Sequence, residues 1–194
     1  MTSESDSADL FSGDGNVRAA LRAHDWSATT LGAEAAWSPA LRSSLLHILW
    51  SPFPNLVLWG ADLVQLYNDA YLDLIGDQRF AGLGAPVRDG ALHDMDIDAP
   101  IYARVLAGET ISREGARFTV LRGGASQTLY LTLSYAPIHD EHLAVAGVLV
   151  TVFEAEEGLS ETGRSSHRRD MPPRLRQADF PAGRPPFPTV TLPS

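Results

Sequence analysis

The sequence predicts an α+β fold, an antiparallel sheet of five strands with helices before the first strand and inserted after the second. Two observations carry this. Residues 55–67 read as a short hairpin around a Gly60-Ala61-Asp62 turn, followed at once by an Asn68-Asp69 helix cap. Residues 113–153 read as three longer strands separated by two polar turns.

Taken in order, residues 1–12 are polar and lack apolar periodicity, which predicts a disordered N-terminus. Residues 13–50 predict a helical extension. Its first helix runs from Asn16 to His24, with Val17, Ala20 and Leu21 on one face. Its second runs from Ser38 to Trp50, with Ser38 as N-cap and Pro39 at the first helical position, where a missing amide costs nothing. Leu41, Leu45, Ile48 and Leu49 form an apolar stripe along it. On its own the stripe reads as a cover for the open face of the sheet.

The main domain is expected over 51–154. Pro52 and Pro54 stop the preceding helix, since proline lacks an amide donor. Leu56–Trp59 and Leu63–Tyr67 form the hairpin, and a helix carrying Ala70, Leu74 and Ile75 on one side ends at Gly76. Residues 77–100 give no regular pattern, and Ile101–Ala107 reads as a helix closed by Gly108. Strands follow over Arg113–Leu121, Thr128–Ile138 and Leu143–Phe153. The second alternates Leu129, Leu131, Leu133 and Tyr135 against Tyr130, Thr132 and Ser134. The third is almost wholly apolar, so it is expected at the centre of the sheet. Residues 155–194 are rich in Pro, Arg and Ser and predict a disordered tail.

Composition excludes several function classes. The 194 residues are 44% hydrophobic, as in a globular protein, and no apolar run is long enough to span a bilayer. The N-terminus lacks the basic and apolar regions of a secretory signal, so a cytoplasmic location is expected. The net charge of −9 opposes binding to nucleic acid or to an anionic membrane surface. With no cysteine, disulfides, thiolate catalysis, Cys-ligated zinc and iron–sulfur clusters are all ruled out.

Trp59, Tyr67, Asn68, Tyr71 and Tyr135 are the candidate pocket residues, since a cleft of this kind pairs apolar walls with a few polar groups. The plainer reading makes the aromatics core fillers and Asn68 a cap. His139-Asp140-Glu141-His142 reads as a solvated turn rather than a metal site. His93 to Asp98 alternates acids but lacks the glycine and the bidentate glutamate of a calcium loop, and reads as a surface loop or helix cap. No nucleophile elbow, P-loop or His-Glu-x-x-His motif is present, so no catalytic residue, metal or enzymatic activity is expected.

The order of these pieces resembles a family. Asp25-Trp26-Ser27, Thr30-Leu31-Gly32, Trp37-Ser38-Pro39, Ser51 to Pro54, Trp59-Gly60, Leu66 to Tyr71, Val105 to Glu109 and Ser134 to Ile138 recur in this sequence as in PAS sensor domains. The likeness is to the PAS module at the N-terminus of bacterial sensor histidine kinases, and it covers about residues 10 to 154. It implies the PAS-like five-stranded sheet with helices inserted after the second strand. It also implies that the N-terminal helices lie outside the core and, as often in the family, mediate dimerisation, which makes Leu41, Leu45, Ile48 and Leu49 a candidate dimer interface. The missing cysteine removes the PAS photosensors that hold a chromophore through that residue. Haem-binding members place an axial histidine about three turns before the glycine that ends the helix; here that position is Ile97, so no cofactor is expected.

The sequence departs from the family at Val87 to Asp98, where relatives carry a Trp-rich segment, and after residue 154, where they continue into a coiled coil. The resulting expectation is a stand-alone sensory or adaptor module in a bacterial two-component system. It would act through homodimerisation or by docking on a separate histidine kinase or response regulator. A receptor for an unknown small molecule and a truncated remnant of a sensor histidine kinase, with an out-of-frame tail, are the alternatives.

Overall fold

The computed structural model describes residues 10–76, 80, 82–89 and 95–154. The chain divides into two units, 1–159 and 160–194, and every described residue lies in the first. The expected tail over 155–194 and residues 1–9 lie outside the described residues.

Four α-helices and five strands make up the described residues. They are α1 (Asn16–Ala23), α2 (Pro39–Leu49), β1 (Asn55–Trp59), β2 (Val64–Tyr67), α3 (Asp69–Ile75), α4 (Met95–Leu106), β3 (Ile111–Arg122), β4 (Ala125–His139) and β5 (Val145–Glu154). The sheet order is β2-β1-β5-β4-β3, with every neighbouring pair antiparallel. α3 and α4 are inserted between β2 and β3. This is the PAS-like α+β arrangement, and β5 is central in it, as its apolar run requires.

The helix signals act as read. The Ser38 side chain accepts the Leu41 amide, with Pro39 at the start of α2. The Asn68 side chain accepts the Tyr71 amide at the start of α3. Its neighbour Asp69 does the same for α1, accepting the Val17 amide at 3.0 Å. Gly15 is obligatory at that junction, because its φ of 134° and the closeness of the Asp69 carboxylate, 2.5 Å from where a Cβ would stand, leave no room for a side chain. The outer edge of β2 is covered by residues 83–87, whose backbone bonds to Leu63 and Gln65.

Two expectations about the N-terminal region are corrected. Leu10 and Phe11, placed in the disordered 1–12 segment by sequence, are buried, and Phe11 packs against Trp26 and Trp37. These two apolar residues sit at the end of a polar stretch, too few to register as a pattern. The 13–50 helices are also not an extension outside the core. Val17, Leu21, Trp26, Trp37, Leu41, Leu45 and Ile48 belong to the same buried cluster as the sheet residues.

The stripe proposed as an interface is therefore core. Leu41, Leu45 and Ile48 are 2%, 0% and 0% exposed, and Leu49 packs partly buried against the same cluster. The reason lies in the strands beneath them. All of β2 and four of the five residues of β1 are buried, so both faces of these short strands need cover. α2 lies against β1 and β2 and supplies one of those covers.

Leu45→Ala tests this placement. A buried leucine truncated to alanine is expected to cost about 3 kcal/mol in urea unfolding, with the oligomeric mass unchanged. An interface residue would show the reverse.

Candidate functional site

The sheet face that carries α3 and α4 encloses a small cavity. Tyr71 of α3, Asp98 and Tyr102 of α4 and Tyr135 of β4 line it with a few polar atoms among apolar walls from Leu56, Phe118, Leu131, Leu133, Val150 and Val152. Its volume is about 20 Å³, room for a single water.

Asp98 is only 3% exposed and pairs with Arg113 of β3 at 3.1 Å. Asp98 and Tyr102 are four apart, so one helical turn stacks them on the same face of α4. The positive charge of Arg113 also acts on the Tyr135 hydroxyl, opposing the rise that burial causes there. What turns Arg113 inward is a β-bulge. Ile111 and Arg113 stand opposite Tyr135 and Leu133, whereas Ala116 and Phe118 stand opposite Leu131 and Leu129, so one extra residue lies between the two sets. The bulge contains Gly115 at φ 64°. Odd-numbered residues before it and even-numbered residues after it thus share one face. Without the extra residue, Arg113 and Phe118 would lie on opposite faces.

The phenols around the pair are strongly biased toward their neutral form. Burial raises Tyr71, and the charges of Tyr67, Tyr135 and Asp98 add to it. Burial likewise raises Tyr102, with Asp98 as the next cause. Tyr135 is pushed up to about 12 by burial and then Asp98, against a lowering by Arg113. Tyr67, its ring tilted against that of Tyr71 at 5.1 Å, is raised by burial as well.

Of the five candidate pocket residues, the structure brings Tyr71 and Tyr135 to the cavity and not the others. Tyr67 is wholly buried, and Trp59 is half-buried at the end of β1, where its ring approaches Gly147 of β5. Asn68 is buried and its side chain is engaged with backbone of α2, β1, α3 and the 51–53 loop. Sequence reasoning missed Asp98, Tyr102 and Arg113. Pro100 concealed the first half of α4, which begins at Met95 and not at Ile101. The reading of His93–Asp98 as a surface loop or cap is corrected at Asp98, which is helical and buried; His93 and Asp94 lie outside the described residues. A usable signal was present in Arg113, which stands two residues after Ile111 and so on the same face of β3.

The remaining candidates resolve locally. In the 139–142 turn, one Asp140 oxygen accepts the amides of His142 and Ala144, so this carboxylate organises the turn. Among the described residues no group of three metal-ligating side chains gathers. Ile97, where the haem count falls, is 45% exposed.

No family model matches this chain, and no curated protein matches it. Solved structures similar to it include the PAS domain of Bordetella pertussis BvgS, 22% identical, covering 61% of this chain and 88% of that one at a TM-score of 0.46. A Rhodobacter sphaeroides LOV protein is 16% identical, covering 66% and 71% of the two chains at 0.43. An RNA-binding light-oxygen-voltage receptor is 14% identical, covering 63% of this chain and 35% of that one at 0.43.

The buried phenols give a pH prediction. The folded state holds them protonated above the ordinary value near 10, while the unfolded chain ionises there. Their contribution is complete below pH 10 and is lost as pH rises from there through the folded values. Stability is therefore expected to fall steeply above pH 10. In a titration read at 295 nm, these phenolates should appear together with unfolding and not before it.

Proposed function

We propose that this chain is a non-catalytic sensory or adaptor module of bacterial signal transduction, working in the cytoplasm. It acts as a homodimer or by docking on a separate histidine kinase or response regulator. The observation that carries this reading is a closed interior beside an open aromatic exterior. The cavity of about 20 Å³ falls far below the roughly 300–1,000 Å³ of small-molecule sites. Outside, Trp50, Phe53 and Phe153 are 74%, 53% and 44% exposed, and the Phe53 and Phe153 rings lie 5.7 Å apart. An exposed aromatic pair such as Phe53 and Phe153 marks a contact surface more often than it serves a monomer. Binding there would shift the population between two packings of the helices on the sheet. The motif order supports the same reading, and the net charge of −9 supports a protein partner over nucleic acid. Among the described residues no helix is long and apolar enough to cross a membrane.

A second reading, a small-molecule receptor, is favoured by one observation. Asp98, Tyr71, Tyr102 and Tyr135 converge on the cavity, which is more polar chemistry than a plain core needs.

Native mass spectrometry of the purified protein, with an absorption spectrum on the same sample, tests the two. The adaptor reading expects an unmodified mass at dimer size or a captured kinase, and no visible band. A Phe53→Ser/Phe153→Ser variant should then shift dimer to monomer. A tightly bound extra mass would replace the adaptor reading with the receptor.

A further inference from the structure

We propose that the open groove along the outer face of α2 docks a proline-rich segment of a partner protein, held in the extended polyproline II conformation. The proposal rests on the adaptor reading above and names the chemistry of the partner which that reading requires.

Three observations carry it. First, α2 has a second face. Ser43, Leu46, His47 and Trp50 follow the i, i+3, i+4, i+7 spacing of one helical stripe, on the side away from the buried Leu41, Leu45 and Ile48. All four are exposed, and with Pro52 they line an open groove of about 600 Å³. A further hollow shares Ser43 and His47 and reaches Ile138 of β4 and Leu149 of β5, so the groove runs on across the sheet. Second, Trp50 is an anchor set in advance. Its ring is 74% exposed, yet the Arg18 guanidinium lies 4.6 Å from the ring centroid. Arg18 is itself 3% exposed and donates to the carbonyls of Ser12 and Leu49. A flat ring fixed on one face and open on the other loses little freedom when a pyrrolidine ring packs on it. Third, the polar groups of the groove suit one kind of backbone. The Trp50 indole N–H and the His47 ring have no hydrogen-bond partner among the described residues, and the groove lining holds no carboxylate. Nearby acceptors are taken, the Ile48 carbonyl by Asn68 and the Ser51 amide, the Leu49 carbonyl by Arg18. The groove thus offers donors to a ligand with bare carbonyls and few amides. A helix keeps its carbonyls bonded internally, and an extended strand brings amides that need acceptors. A proline-rich chain leaves its carbonyls free and has no amide at each proline.

Isothermal titration calorimetry of the full chain with decaproline tests this, with a glycine–serine decapeptide as the control. Decaproline is expected to bind saturably with a Kd below about 1 mM, and the control is expected not to bind. Trp50→Ala is expected to weaken binding about tenfold or more, the loss of a central aromatic anchor. Trp50→Phe keeps a ring and loses the N–H, and a loss of about threefold to tenfold is expected. His47→Ala, at a separate exposed position, is expected to weaken binding about threefold, and surface changes of this kind leave the fold intact. Absence of saturable decaproline binding would overturn the proposal. So would equal binding of the control, or undiminished binding by Trp50→Ala. A Trp50→Ala change that turns a dimer into a monomer, with decaproline inert, would overturn it in favour of a second copy in the groove. All of these outcomes leave the adaptor reading standing, which fails instead if the native spectrum shows a bound small molecule.

Discussion

Three backbone carbonyls and two backbone amides, drawn from four separate segments, converge on one buried side chain. The carboxamide nitrogen of Asn68 donates toward the carbonyls of Ile48, Ser51 and Phe53, and its oxygen accepts the amides of Asn55 and Tyr71, all at 2.8–3.1 Å. The end of α2, the following loop, the start of β1 and the start of α3 thereby satisfy groups that would otherwise be buried without partners. Asn55 extends the junction to β5 through the Thr151 hydroxyl at 2.7 Å. A residue of any other shape leaves several of these groups unpaired at once.

The consequence reaches the N-terminal layer. Next to Asn68, Asp69 caps α1, while Arg18 of α1 reaches back to the carbonyls of Ser12 and Leu49. Trp26 and Trp37, 4.9 Å apart, each give their indole N–H to a backbone carbonyl. The helices ahead of the sheet are thus tied into it by buried polar contacts as well as by apolar packing. α4 packs on the sheet through Tyr102 and Val105, and the Asp98–Arg113 ion pair joins its first turn to β3.

Strand periodicity, turn glycines and helix caps are local signals, so the sequence disclosed the sheet, its central strand and the starts of α2 and α3. Asn68 was legible as a cap but not as a junction, since four of its five partners come from residues 13 to 20 positions away. The Leu41–Leu45–Ile48 stripe was legible as a face, but what covers it depends on how much of β1 and β2 needs shelter, which no window of α2 contains. The site was only half legible. Tyr71 and Tyr135 were accessible from their elements, whereas Asp98 lay behind Pro100 and Arg113 faces inward only because a bulge alters the alternation of β3.

Equilibrium urea unfolding of Asn68→Ala, read by tryptophan fluorescence, is the most direct test that this junction holds the domain together. Removing a side chain with five buried partners is expected to cost about 3 kcal/mol or more, with one cooperative transition in the wild type. A loss under about 0.5 kcal/mol, the range of an ordinary surface change, would contradict the account.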